Sequence, residues 1–195
     1  MKIGIMGGTF DPIHCGHLLA AEIAREEAGL DEVWFMPANT PPHKPNAPKA
    51  TAGQRLEMAG LAVAGNERFR VTDTEIRRGG TSYTVDTMRD LVERYPEHSF
   101  SYIIGADMVQ YLPHWERISE LAELISFIGL TRPGYSIDLD KLPEGIRGKV
   151  QPVEMPLVGI SSTLIRGLRQ NGRSIRYMVP ESVLLYIERN RLYES

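Results

Sequence analysis

The chain has 195 residues, 42% of them hydrophobic and 24% charged, a composition that excludes a disordered or fibrous protein and leaves enough length to bury a core. A formal charge of −3 supplies no global field for a polyanion, so nucleic acid is not expected as a partner. No apolar run reaches the roughly 20 residues of a membrane span, and the single cysteine, Cys15, cannot close an internal disulfide, so the cytoplasm is the expected location and no membrane partner is anticipated.

Lys2 to Met6 is an apolar run of strand type that stops at Gly7 and Gly8, and helical spacing begins near Gly16 and passes through Leu18, Leu19, Ile23 and Ala24 toward Gly29. Glu32 to Met36 reads as a second strand, which makes the opening a βαβ unit and predicts a parallel sheet with helices on both faces. Five prolines between Pro37 and Pro48 predict a long surface loop. A helix over Gln54–Ala64, a short strand over Phe69–Thr72, a polar loop over Arg77–Ser82 and a helix over Thr84–Tyr95 follow. Ser99–Ile104 and Leu124–Leu130 are apolar enough to be central strands buried on both faces. Arg132–Arg147, rich in Pro, Gly and Asp, reads as an exposed excursion before a strand over Lys149–Glu154. Helices over Ser161–Gln170 and Pro180–Asn190 complete the pattern. No repeat or linker divides it, so the expectation is one α/β domain, Rossmann-like, over residues 1–195.

The stretch Gly7-Gly8-Thr9-Phe10-Asp11-Pro12-Ile13-His14-Cys15-Gly16-His17 concentrates the chemistry. Two glycines directly after a strand allow a bulky ligand close to the backbone, and Asp11-Pro12 imposes a turn before the helix. His14 and His17, three apart, project from one side of the first helical turn, and Gly16 between them leaves room for a phosphate. With the free N–H groups and partial positive charge of a helix start, the two imidazoles form an anion site. This is neither a P-loop, which would end in Lys-Ser or Lys-Thr, nor the GxGxxG dinucleotide fingerprint. Farther along, Ser161-Ser162-Thr163 supplies cap residues with spare hydroxyls and Arg166 a two-pronged phosphate donor.

The HxGH arrangement, with Ile160-Ser161-Ser162-Thr163-Leu164-Ile165-Arg166, resembles the nucleotidyltransferase superfamily. Pro41-Pro42-His43-Lys44, Ser82-Tyr83-Thr84-Val85-Asp86-Thr87, Ile104-Gly105-Ala106-Asp107 and Trp115 occur in the order found in the bacterial nicotinate-nucleotide adenylyltransferases, and the resemblance spans nearly the whole chain. It implies AMP transfer from ATP to nicotinate mononucleotide in NAD synthesis, with Mg²⁺ travelling on the ATP phosphates and no protein metal ligand. His14, His17, Lys44 and Arg166 would serve the reacting phosphates. Gly7, Gly8, Thr9, Phe10, Gly16, Gly105, Asp107, Ser161, Ser162 and Thr163 would hold ATP, Asp107 through the ribose hydroxyls. Lys44, Ser82, Tyr83, Thr84 and Trp115 would hold the mononucleotide, Trp115 by stacking on the pyridine ring. Rivals are a pantetheine-phosphate adenylyltransferase, a glycerol-phosphate cytidylyltransferase, or a non-catalytic nucleotide-binding module; association into a homo-oligomer is left open.

Overall fold

In the computed structural model, described over residues 1–40 and 47–194, six strands form a wholly parallel sheet of order β3-β2-β1-β4-β5-β6. In chain order the elements are β1 (Lys2–Gly8), α1 (Cys15–Glu27), β2 (Glu32–Pro37), α2 (Ala52–Val63), β3 (Phe69–Val71), α3 (Thr74–Arg78), α4 (Thr84–Arg94), β4 (Ser99–Gly105), α5 (Ala106–Tyr111), a 3₁₀ turn (Leu112–His114), α6 (Ile118–Leu124), β5 (Ser126–Thr131), a second 3₁₀ turn (Leu139–Lys141), α7 (Glu144–Arg147), β6 (Val150–Glu154), α8 (Ser162–Gln170) and α9 (Glu181–Arg189). The expected α/β class and parallel sheet are therefore present.

Side chains alternate across the sheet because a strand has period two. Met6, Val33, Phe35, Ile103 and Ile128 face one way and bury against Ala20 and Ala24 of α1, Met58 of α2, Ile165 of α8 and Ile187 of α9. Ile3, Ile5, Met36, Tyr102 and Phe127 face the other way onto Val85 and Met88 of α4, Val109 of α5 and Leu121 of α6. Both faces are covered, which is why these strands read as continuous apolar runs.

The chain builds outward from β1 to β3, then returns past β1 to lay down β4, β5 and β6 on the other side. The order reverses between β1 and β4, and the crevice at the carboxyl ends of those two strands is where open α/β sheets place ligands.

Helix starts carry local signals. Thr51 caps α2, its hydroxyl accepting from the Gln54 N–H at 3.2 Å while Gln54 Oε1 accepts from the Thr51 N–H at 2.9 Å. Ser161 caps α8 in the same way, accepting from the Leu164 N–H at 3.1 Å.

Three readings need correction. Arg77 and Arg78 belong to α3 rather than to a loop: Arg77 pairs with Asp73 one turn back at 2.8 Å, Thr74 and Glu75 are buried, and the loop begins at Gly79, with φ 72°. Leu124 closes α6, so β5 starts at Ser126; an amphipathic helix running straight into a buried strand leaves no break in apolar pattern. The Arg132–Arg147 excursion is not exposed throughout, since Leu142 and Ile146 are buried.

Candidate active site

Beyond Gly8 the chain turns across the carboxyl edge of the sheet into α1, with Phe10 at φ 50° and a cis peptide at Asp11-Pro12. Side chains from distant elements hold three carbonyls of this turn. Arg55 Nη1 of α2 donates to the Thr9 carbonyl at 2.7 Å, Arg166 Nη1 of α8 to Asp11 at 2.8 Å, and Ser162 Oγ to Pro12 at 2.9 Å. Arg55 is 1% exposed and also donates to the Asn39 carbonyl at 3.2 Å; burial draws its pKa down, against the pull of Asp11 and Tyr193.

His14 is the cap of α1 and His17 lies in its first turn. Their rings stack with centroids 3.6 Å apart at 23°, and the edge of Phe10 meets His17 at 5.0 Å. The His14 N–H donates to His17 Nδ1 at 3.2 Å, so the neutral His17 ring carries its proton on Nε2. His14 is 6% exposed, and burial lowers its pKa to about 4. At pH 7 it meets a ligand as neutral imidazole, a hydrogen-bonding group rather than a cation. Its Nδ1 is buried without a partner among the described residues. A Cβ on Gly16 would stand 3.0 Å from that nitrogen, so the glycine keeps the space before the ring open.

Two clefts open on either side of the β1 end. The larger, about 560 Å³, is lined by His14, Gly16, His17, Gly105 and Asp107, and by Arg132 just beyond β5. The smaller, about 300 Å³, is lined by Gly8, Thr9, Ser82, Tyr83, Thr84 and Trp115. Gly7, Ile104 and Met108 line both, so the clefts share a wall. A third depression of about 470 Å³ lies at the opposite sheet edge, beside Lys2 and Ser99, away from the carboxyl ends where helix N-termini converge.

Of the residues expected to hold ATP, Gly16, Gly105 and Asp107 line the larger cleft with the two histidines, Gly7 lines both, and Gly8 and Thr9 line the smaller one beside Ser82, Tyr83, Thr84 and Trp115. Phe10, Ser161, Ser162 and Thr163 line neither, nor does Arg166. Asp107 sits in the first turn of α5 with its carboxylate folded back over Gly105, where a Cβ would be 2.8 Å from Oδ1. Trp115, half-buried, meets Tyr102 edge-on at 5.8 Å, and its indole N–H has no partner among the described residues. Ser82 differs most from expectation. Its N–H donates to the Thr40 carbonyl at 3.1 Å, its Oγ accepts from the Asn39 N–H at 3.1 Å, and its hydroxyl lies near enough to the buried Glu75 carboxyl to favour the charged form. A residue expected to offer donors to a ligand spends them on the protein. Tyr83 and Thr84 open α4, where the first N–H groups have no partner within the helix.

The Ser161-Ser162-Thr163-Arg166 group also works inward: Ser161 caps the helix, Ser162 and Arg166 hold the turn, and Thr163 Oγ1 accepts from Arg166 at 3.3 Å. Lys44, with Pro41, Pro42 and His43, lies outside the described residues.

Sequence reading missed Glu75, Tyr102, Arg132 and Arg55. Burial raises the Glu75 pKa, while Ser82, Thr87 and Arg78 oppose the rise. Arg132 had a findable signal, a cation directly after a central parallel strand. Arg55 had none, because an arginine in an amphipathic helix reads as surface.

The family described as Cytidylyltransferase-like matches residues 5–168. A protein of Exiguobacterium sibiricum named "Probable nicotinate-nucleotide adenylyltransferase" is 50% identical over 195 residues, covering 100% of both chains. One of the same name from Oceanobacillus iheyensis is 47% identical over 192 residues, covering 98% of this chain and 96% of its own. The structure of Plasmodium falciparum nicotinic acid mononucleotide adenylyltransferase complexed with NaAD superimposes with a TM-score of 0.79 over 99% of this chain and 97% of that one; at 21% identity it speaks for the fold. With the paired histidines, two adjoining clefts and full-length relatives in agreement, the chain belongs to the cytidylyltransferase-like family and, within it, to the nicotinate-nucleotide adenylyltransferases.

Proposed function

We propose that the chain transfers the adenylyl group of ATP to nicotinate mononucleotide, giving nicotinate adenine dinucleotide and pyrophosphate. The observation that carries this reading is the pair of clefts meeting at Gly7, with the stacked histidines on one side and Trp115 beside the α4 N-terminus on the other. Two nucleotides laid in them bring their phosphates together at the shared wall.

The mononucleotide phosphate is already a nucleophile, so one of its oxygens attacks the α-phosphorus in line as the bond to the β-phosphate oxygen breaks. No covalent enzyme intermediate is needed, and the protein contributes alignment and charge stabilisation. His17 Nε2–H and the Gly16 N–H at the start of α1 are the donors for oxygens that gain charge, the Cys15 N–H being spent on the Met178 carbonyl at 2.9 Å, with Arg166 beside the turn. His14, neutral, orients His17 by stacking and by its backbone N–H. Mg²⁺ enters as part of the ATP substrate. Lys44 is assigned a phosphate-neutralising role on resemblance alone, and Asp107 the ribose hydroxyls. ATP as a substrate and the lack of any helix long and apolar enough to cross a membrane among the described residues suit work in the cytoplasm.

The test is pyrophosphate release from MgATP with nicotinate mononucleotide, nicotinamide mononucleotide, phosphopantetheine or glycerol 3-phosphate offered in turn, the last with CTP as well. Rapid release with nicotinate mononucleotide is expected. Preference for either of the last two would place the chain with the rival transferases, and no release with any would make it a binding module.

A further inference from the structure

The turn that presents the histidines is gripped from behind by a carboxylate the transfer chemistry does not use. Asp11 is 5% exposed; its Oδ2 accepts from the Lys49 N–H at 2.8 Å and its Oδ1 from the Ala50 N–H at 3.0 Å and from the Tyr193 hydroxyl at 2.7 Å. Tyr193 itself is 7% exposed. It reaches Asp11 because the chain folds back after α9, with the Leu192 N–H donating to the Ile187 carbonyl at 3.0 Å and Glu194 pairing with Arg169 of α8 at 2.6 Å. A buried phenol that donates to a buried carboxylate 182 residues away, in a segment that lines neither cleft, is an investment in geometry.

The geometry points to Tyr193 as a positioning residue of adenylyl transfer: its hydroxyl, by donating to Asp11, fixes the turn that carries His14 and His17 to the reacting phosphates. The Asp11 side chain meets the tyrosine while the Asp11 carbonyl meets Arg166 at 2.8 Å, so one residue is held at both ends and its peptide plane cannot swing. Three residues on, the His14 ring touches His17, while its backbone is tied into the start of α1, its carbonyl accepting from Leu18 at 3.3 Å and the next N–H, of Cys15, donating to the Met178 carbonyl at 2.9 Å, so the ring takes its position from where the turn delivers the helix start. Small misplacements of reacting groups are expensive, a 1 Å error costing up to about 10²-fold in rate, so loss of one bracing hydrogen bond should appear in kcat.

This inference rests on the proposed reaction, and Tyr193→Phe tests it by deleting one oxygen while keeping the ring. Expected is a kcat lower by roughly fivefold to twentyfold, with KM for ATP and for nicotinate mononucleotide within about twofold of wild type. Rates are taken per folded molecule, with the folded fraction read by circular dichroism. Asp11→Ala, which removes the acceptor altogether, is the second variant and should lose at least that factor. In the Asp11→Ala background Tyr193→Phe should change kcat by less than about 1.5-fold, because the hydroxyl acts only through that carboxylate. A lower melting point with wild-type kcat would make the pair merely structural and overturn the proposal, as would full additivity of the two losses. A wild-type chain that releases no pyrophosphate would overturn the reaction and this proposal together, whereas an active wild type with an equally active Tyr193→Phe would overturn this proposal alone.

Discussion

Gly7 stands in the wall between the two clefts, and its replacement by alanine tests whether that wall sets the shape of the mononucleotide side. A Cβ built there lies 1.8 Å from Tyr102 Oη and 2.7 Å from Cζ. Comfortable contact needs about 3.5 Å, so the tip of Tyr102 must retreat by roughly 1.5 Å. It has little room: Tyr102 is 7% exposed, its ring meets the Trp115 ring at 5.8 Å, and its hydroxyl lies beside Thr84 at the start of α4. The displacement therefore reaches both groups assigned to the mononucleotide. Overpacking of this kind costs about 1–3 kcal/mol of stability. Loss of ring stacking alone, worth about 1 kcal/mol, raises KM roughly fivefold, and disturbance of α4 carries it to about tenfold or more. The histidine pair and Asp107 are not pushed, so KM for ATP should stay within about threefold. Steady-state pyrophosphate release with each substrate varied in turn measures both, alongside thermal melting. Adding Tyr102→Phe removes the nearest atom and should recover part of the stability. Gly7→Ala with an unchanged melting point and unchanged KM values, or with a rise confined to ATP, would refute the reasoning.

His17→Ala should lower kcat by about 10² or more, as loss of one transition-state donor does, with a smaller change in KM for ATP; a folded variant with near wild-type turnover would remove His17 from the mechanism. Trp115→Ala should raise KM for the mononucleotide by a factor worth roughly 1 kcal/mol and Asp107→Ala should mainly raise KM for ATP, so a shift of both variants on the same substrate would break the division of the clefts. His14, lowered from 6.5 to about 4, binds a proton in the unfolded chain before it does in the folded one, so its contribution is present above pH 6.5 and is lost as pH falls toward 4. Over that window it amounts to about 3 kcal/mol. Glu75, raised by burial, runs the opposite way, so the readout is the difference between wild type and His14→Asn in melting point against pH, which should narrow as pH falls; parallel curves would show that His14 titrates normally. Ser161→Ala should cost about 1 kcal/mol of stability by uncapping α8, measured by denaturant unfolding, and an unchanged midpoint would contradict the cap.

What the sequence made legible is what is local. A strand ending in two glycines, a proline-fixed turn and histidines three apart occupy consecutive positions, so their meeting at a helix start follows from chain geometry, and the alternation of apolar strands with helical spacing is enough for a parallel sheet. The second group was readable in kind but not in direction. Ser162 and Arg166 sit beside the turn that precedes α1, yet their hydrogen bonds run to the turn's own carbonyls while Ser161 caps α8, and no spacing rule tells which side a hydroxyl faces. Contacts closed over long separations, Arg55 to Thr9 and Tyr193 to Asp11, left no trace at all. Ser82 brings this to bear on selectivity. Nicotinate differs from nicotinamide by a carboxylate in place of a neutral amide, and a chain of charge −3 does not attract it globally, so discrimination requires aimed donors. With the Ser82 N–H on Thr40 and its hydroxyl beside Glu75, that task passes to the N–H groups of Tyr83 and Thr84 at the α4 start. Charge-assisted hydrogen bonds contribute about 1.5–3 kcal/mol, which sets the preference for nicotinate mononucleotide at roughly 10-fold to several hundred-fold in kcat/KM. Ser82→Ala should therefore leave that ratio within about threefold while lowering stability, since the partners lost are the Asn39 N–H and the Glu75 carboxyl rather than substrate. A ratio that collapsed toward unity in Ser82→Ala would put the serine hydroxyl on the ligand after all, and equal kcat/KM for the two mononucleotides in the wild type would refute the assignment of the α4 start as the carboxylate site.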